Sequence, residues 1–529
     1  MFVPLTPLRC LHRAMDLYGS RTGVVSGDRQ FTYAELGRRA EKLATGLRSA
    51  GIAAGDRVAY LSFNNHQLLE GYFGVIQSRA IAMPLNVRLS ESELAAILAH
   101  SGAKMVIFED DFADTVRELR KKCRDVERWV AIGEKRPEAD LTYEEILDQG
   151  CSERADVFAY DEMAIAELFY TSGSTGTPKG VTLSHRTLYL HALSVAGEFR
   201  DPETMVDLHT IPLFHANGWG HPQAATMLGI KQVMVRRFEP KHVFHLIREH
   251  RATYMCLVPS MANALINSPD RDGWDLSSMR VVNVGGAVNS PELVERIERL
   301  FPGCACVTGY GLTETSPMIT HTQPLDTIGL SECARREHLA MTGRAILGAS
   351  IRVVDSDLKD VPRDRKAIGE VIVMGDQVMD GYFGDPEATR AAMSGGWLHT
   401  GDMAVWNENG YIQIVDRKKQ IIISGGENIS SLEVEAAIFA HPAVLECAVV
   451  AAPDRKWGEV PAAIIVLKSE ESVTADDLLD FLRHRLGRFK LPRIVEFSED
   501  PLPKTGTGKI RKNELRERFW TGKEKRVQG

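Results

Sequence analysis

The chain has 529 residues, 44% of them hydrophobic and 25% charged, with a formal net charge of -8. That length exceeds what one hydrophobic core can organise, so at least two domains are expected. The acidic balance leaves no basic footprint for nucleic acid and argues against a general membrane-surface binder.

The eight cysteines are scattered without a Cys-x-x-Cys pair, which predicts free thiols in a reducing compartment. Residues 1–20 have no charged start followed by a long apolar run, and no apolar stretch approaches transmembrane length. A cytoplasmic protein with no integral membrane segment is expected. Helix and strand alternate through residues 1–160. Thr32 with Glu35, and Ser90 with Glu93, spell capping boxes ahead of apolar residues at helical spacing (Leu36, Leu43 and Leu47; Leu94, Ile97 and Leu98). Val58–Leu61 and Met105–Phe108 read as strands. Such alternation predicts a largely parallel sheet covered by helices.

The stretch Tyr170–Gly180, YTSGSTGTPKG, follows an apolar strand and precedes a polar SHRT that opens a helix. Three glycines free the backbone, five hydroxyls add donors and Lys179 adds a positive charge, which together suit phosphate oxygens. By itself the stretch is also compatible with a solvated Ser/Gly turn. It is not a P-loop, because Pro178 and Gly180 flank the lysine. Further strands are expected at Val206–Ile211, Val233–Val235, Tyr254–Val258, Val281–Val284 and Cys306–Thr308. Gly285-Gly286-Ala287 and Gly309-Tyr310-Gly311 read as turns at strand ends, where parallel sheets hold ligands. From about residue 345 the texture shifts to short strands, and after Asp416–Ser424 to a compact αβ unit with a helix from Ser431. The main boundary is placed at about residue 418.

Five stretches in order resemble the signature motifs of the adenylate-forming (ANL) superfamily: YTSGSTGTPKG, GYGLTE at Gly309–Glu314, GWLHTGD at Gly396–Asp402, DRKKQIIISGGENI at Asp416–Ile429 and PKTGTGKIRK at Pro503–Lys512. Within it the chain is most similar to fatty-acyl-CoA ligases. The resemblance implies an α/β fold. A large N-terminal domain (1–418) would hold two flavodoxin-like α/β subdomains and a small β-barrel, followed by a small mobile α+β C-terminal domain (419–529). It implies an enzyme that uses ATP and Mg²⁺ to join the acid to adenylate, releasing pyrophosphate, and then passes the acyl group to CoA. The first step brings anions together, so they must be positioned and their charge neutralised.

Carried onto this chain, the motifs assign Thr171, Ser172, Gly173, Ser174, Thr175, Gly176, Thr177 and Lys179 to the ATP phosphates, and Thr313 to the α-phosphate. Thr171 and Glu314 would hold Mg²⁺. Gly286, Ala287 and Tyr310 would line the adenine, Gly309 and Gly311 belong to the same ATP/AMP site, and Asp402 with Arg417 would hold the ribose. Lys509 would catalyse adenylation, with Lys504 as the nearby alternative. Lys419 occupies the hinge position, although Gln420 departs from the acidic residue often found next. Ser424, Gly425, Gly426 and Glu427 would shape the CoA channel; alone they also read as a turn before the helix at Ser431. His215, Asn217 and Trp219 would line the acyl pocket, with His215 near the reacting carboxylate. No aspartate lies between Ile211 and Gly220, which argues against an amino acid. The expected substrate is a medium- to long-chain or similarly hydrophobic acid. The alternatives are a short-chain or aryl-acid ligase, an acyl-AMP ligase that loads a carrier protein, a luciferase-like oxygenase and a nucleotide sensor. Family habit makes a homodimer an expectation.

Overall fold

The structure, a computed structural model, describes residues 2–134, 137–171, 178–425, 427–469, 471–504 and 510–521. Two compact units divide the chain, each continuous only in part: residues 1–351 with 373–399, and 352–372 with 400–529. Residues 352–372 and 400–418, which the sequence reading assigns to the N-terminal domain, group here with the second unit.

The first unit holds two doubly wound sheets, as the βα alternation requires. In one, the strands Ile165–Thr171, Ile81–Pro84, Arg57–Leu61, Met105–Glu109, Arg128–Ile132 and Leu141–Thr142 run parallel in that spatial order. Both faces are covered, so its strands are mostly apolar, with Glu167 a buried exception. Val58 and Tyr60 enter one core, and Ala59 and Leu61 enter the other. The capping boxes at Thr32 and Ser90 are formed as read. Helix His66–Gln77 is buried at all twelve positions.

The second sheet is parallel over Ala305–Gly311, Val281–Gly285, Tyr254–Leu257, Val206–His209, Lys231–Met234 and Thr22–Ser26. Leu208, Met255, Leu257, Val282 and Val284 pack on one side into an apolar core. Between them, Asp207, Cys256 and Asn283 are buried on the opposite face.

One strand was not foreseen and one expectation needs correcting. Tyr170–Gly180 joins antiparallel strands, Ile165–Thr171 and Lys179–Ser184, so Lys179 opens a strand directly opposite Thr171. The helix His185–Glu198 opens in the SHRT segment as read, capped by Ser184. Gly309, Tyr310 and Gly311, by contrast, are strand, not turn. They pair antiparallel with Met318–His321, and the chain reverses at 312–317. A Cβ on Gly311 would run into the Pro317 carbonyl oxygen, so the return strand can approach only glycine.

The unit boundaries fall in a third, five-stranded sheet that includes Trp397–Trp406 and Ile412–Arg417. The C-terminal sheet carries Val444–Asp454 antiparallel to Gly458–Leu467, with Ile494–Phe497 parallel on the far side. Helices Ser431–Phe439 and Ala475–Arg483 supply side chains to one core, with Cys447 and Val449. Lys512–Trp520 contributes Leu515 to the other, with Ala448 and Val450. All eight cysteines are free. Among the described residues no helix is long and apolar enough to cross a membrane.

Candidate active site

Strand Lys179–Ser184 pairs on its outer side with Gly381–Tyr382, placing Tyr382 opposite Val181. The Lys179 ammonium lies 4.7 Å from the centre of the Tyr382 ring. The Tyr382 hydroxyl donates to Glu314 Oε1 at 3.0 Å. The backbone ties the same pieces together, with the Met379 amide donating to the Glu314 carbonyl at 2.8 Å. One aromatic ring thus stands between a cation from one sheet and a carboxylate from the other. Burial, reinforced by the Glu314 charge, pushes the Tyr382 phenol above its ordinary range, so it stays a proton donor to the carboxylate. Thr313, beside Glu314, is buried in a 3₁₀ turn.

Beyond this line the strand ends provide a glycine floor. Gly285 and Gly309 are paired across neighbouring strands. A Cβ on Gly285 would stand 2.7 Å from the Gly309 carbonyl oxygen and 3.0 Å from Cη2 of Trp219. Gly286 turns away with φ +74°, a conformation open to glycine. The indole of Trp219 therefore lies against the turn assigned to adenine. Its own segment is tightly wound. Ala216, Gly218, Trp219 and Gly220 all have positive φ, from 43° to 78°. Such geometry is strained for a tryptophan and points the ring onto the glycines. Gly220 also admits His191, whose Nε2 accepts from the Met318 amide at 3.1 Å. Burial holds His191 neutral, with its pKa lowered to about 3.

A polar cluster lies under the start of helix Ala216–Leu228. His221 Nδ1 is 3.1 Å from Asp207 Oδ2, and its Nε2 is 3.6 Å from Cys256 Sγ. Burial opposes charge on Asp207, yet His209 and His221 hold its carboxyl below the usual range. For His221, burial is outweighed by Cys256 and Asp207, and its pKa rises to about 10. The rings of Phe199, His221 and Tyr254 close over this cluster with centroids 5.1–5.5 Å apart.

In the second unit, Asp402 and Arg417 face each other across antiparallel strands, Arg417 Nε 2.5 Å from Asp402 Oδ1. Gly425 has φ +61°, and a Cβ there would meet the Trp457 ring at 2.6 Å. Ser424 pairs with Glu427 across the hairpin, and the Lys419 carbonyl accepts from Arg516 at 3.3 Å. Ser172–Thr177, Gly426 and Lys509 lie outside the described residues, as does the side chain of Asn217.

A family model described as AMP-binding enzyme matches residues 11–383, and one described as AMP-binding enzyme C-terminal domain matches 433–509. The chain belongs to the AMP-binding enzyme family. A long-chain-fatty-acid–CoA ligase from Thermus thermophilus is 40% identical over 96% of this chain and 94% of its own. A feruloyl-CoA synthase from Amycolatopsis is 38% identical over 94% and 96%. Among solved structures, an anthranilate CoA ligase with anthranoyl-AMP superposes with a TM-score of 0.88 at 25% identity, covering 98% of both chains. ATP-bound MatB from Rhodopseudomonas palustris gives 0.85 at 26%, covering 97% and 99%.

For an AMP-binding enzyme, the first unit carries Thr171, Lys179 and the adjacent pair Thr313 and Glu314 on three separate segments. Sequence reading missed Tyr382, because Gly-Tyr-Phe at 381–383 carries no residue pattern that singles out a hydroxyl on Glu314. It also missed Asn283, buried within an otherwise apolar strand. Among the described residues no three His, Cys, Asp or Glu side chains are arranged to hold a metal by themselves. A magnesium fits this donor set as one that takes a single oriented carboxylate, Glu314, and completes its shell with phosphate and water.

Proposed function

We propose that this member of the AMP-binding family is an ATP-dependent acyl-CoA ligase. The observation that carries the reading is the Lys179–Tyr382–Glu314 line beside the glycine floor. The ammonium is assigned to the terminal phosphates. Glu314 would hold Mg²⁺, which when bound neutralises charge on the phosphate oxygens. In the first half-reaction a carboxylate oxygen bonds to the α-phosphorus and the bond to pyrophosphate breaks. Lys509 is assigned to neutralise charge in that step. In the second, the CoA thiol loses its proton and attacks the acyl carbon, and AMP leaves. Ser424–Glu427 are assigned to the thiol channel, Asp402 and Arg417 to the ribose, and Lys419 to the hinge between domains 1–418 and 419–529.

For the acid, the reading is a hydrophobic carboxylate held by His215, Asn217 and Trp219, with a medium- to long-chain fatty acid in first place, as for the Thermus relative's named substrate. A short or aromatic acid is the second reading. The polar cluster of Asp207, His221 and Cys256 behind Trp219 favours it, since a long apolar tunnel has no use for buried charge.

The test separates the half-reactions by mass spectrometry with ATP, Mg²⁺, CoA and pooled acids. Wild type is expected to yield acyl-CoA and AMP. Lys509→Ala should lose acyl-AMP formation by at least about a hundredfold and still convert supplied acyl-AMP to the thioester. Gly425→Leu, strained at φ +61° and driven into Trp457, should do the reverse. Equal loss of both half-reactions in either variant removes its assigned role. Acyl-AMP without acyl-CoA in wild type would replace this reading with carrier loading.

A further inference from the structure

Below the glycine floor, the second sheet presents a column of side chains toward helix Ala216–Leu228. Alternate residues of a strand share a face. Gly285, Asn283 and Val281 therefore line up, with Gly309, Val307 and Ala305 in register beside them and Cys256 and Tyr254 on the other flank. The column descends four residues, or about 13 Å at ~3.3 Å per residue. Trp219 covers its upper end at Gly285. At its lower end lies a cavity of about 60 Å³ whose lining includes Phe199, Tyr254, Val281 and Val307.

Asn283 interrupts this column. It is 1% exposed, and it lies across Gly309, where a Cβ would stand 3.2 Å from its Oδ1 and 3.4 Å from its Nδ2. Nδ2 donates to the Tyr254 hydroxyl at 3.2 Å, whereas Oδ1 has no hydrogen-bond partner among the described residues. Turning the amide over exchanges the two atoms without removing the deficit. Tyr254 can donate to the oxygen or accept from the nitrogen, and one amide atom is left over either way. An unpaired buried polar atom costs about 1–3 kcal/mol. Valine or leucine would fill the same column without that cost. The amide is thus poorly explained by packing and well explained by a partner that arrives with the ligand.

We propose that Asn283 is a specificity-determining residue that pairs with a hydroxyl group on the tail of the acid, so that hydroxylated acids are preferred over their plain counterparts. This rests on the acyl-CoA ligase reading and on the placement of the acid beside Trp219. A hydroxyl satisfies either amide orientation, giving its proton to Oδ1 or accepting one from Nδ2. Tyr254, fixed by Asn283 and packed on His221, sets the amide's angle as a positioning residue. A plain alkyl or phenyl tail leaves the amide atom unpaired and also displaces any water that served it.

The experiment compares matched pairs on the intact protein: butanoate with 4-hydroxybutanoate, octanoate with 8-hydroxyoctanoate, and cinnamate with 4-hydroxycinnamate. AMP release gives kcat/KM for each. The hydroxylated member of at least one pair is expected to be favoured by about tenfold or more. In Asn283→Leu the ratio should collapse to within about twofold, through loss on the hydroxylated acid and gain on the plain one. Should that variant fail to fold, Asn283→Ala takes its place, and the wild-type ratios decide in any case. Equal treatment of both members in all three pairs, or a preference that survives substitution, overturns the proposal and leaves the ligase reading standing. Absence of acyl-CoA and AMP with every acid overturns the ligase reading, and this proposal with it.

Discussion

Tyr382 shows how much one side chain can organise. Its ring carries the Lys179 ammonium and its hydroxyl orients Glu314. Tyr382→Phe keeps the ring and removes only the hydroxyl. A hydrogen bond to a charged group is worth about 1.5–3 kcal/mol, but Glu314 retains its backbone anchor at Met379. A fall of about tenfold in acyl-AMP formation is therefore expected, equivalent to ~1.4 kcal/mol. It should come with a higher Mg²⁺ requirement, read as pyrophosphate release against metal concentration. An unchanged metal dependence would show that the hydroxyl does not position the carboxylate. At this scale Lys179, Thr313, Glu314 and Asp402 could be singled out as candidates because they sit in dense local motifs. Tyr382 and Asn283 were not, since what distinguishes them is a neighbour far away in the chain.

At the scale of elements, amphipathic helices and capped termini were readable. Helix Tyr33–Ser49 has its box at Thr32 and Glu35 and its apolar stripe at Leu36, Leu43 and Leu47. Helix His66–Gln77 has no exposed face: even His66, Gln67, Glu70 and Gln77 are buried, so its burial is not visible in the sequence pattern. The close approach of elements is equally hidden. Gly46 lies where helix Tyr33–Ser49 meets helix Tyr143–Gln149, and a Cβ there would collide with the Ile146 carbonyl oxygen. Alanine improves helix propensity by up to about 1 kcal/mol. Overpacking against a backbone atom that cannot rotate away costs about 1–3 kcal/mol. Gly46→Ala should thus be net destabilising, lowering the urea midpoint. A raised midpoint would mean that the two helices separate at little cost.

For the whole molecule, buried histidines couple stability to pH. Burial lowers His66 and His191 to about 3 and His185 to about 4, from an ordinary 6.5. Below pH 6.5 the unfolded chain takes up protons that these folded sites refuse. Their contribution is complete above pH 6.5 and is lost as pH falls toward 3–4, at up to about 1.4 kcal/mol per pH unit for each imidazole. His221 acts with the opposite sign: raised to about 10, it supports the fold below pH 6.5 and loses that support as pH rises through 10. Glu70, which burial raises to about 7 against the pull of Arg39, also subtracts stability on the way up to neutrality. The urea midpoint of the first unit should fall steeply from pH 6.5 to 5, and less steeply in His191→Gln. A midpoint independent of pH over that range would contradict the neutral, buried assignment.

The sequence by itself determined the family, the alternation of helix and strand, and the order of the five motifs to which the nucleotide roles are assigned. These depend on short-range backbone needs: glycines where chains turn, caps where helices start and apolar runs where strands are covered. Only the tertiary structure decided that the phosphate loop joins antiparallel strands and that Gly309–Gly311 is strand rather than turn. The same holds for the Tyr382 link between Lys179 and Glu314, and for the amide of Asn283 left unpaired in the column beneath Trp219. Each of these rests on strand register and on contact between residues tens to hundreds of positions apart, which no local pattern encodes.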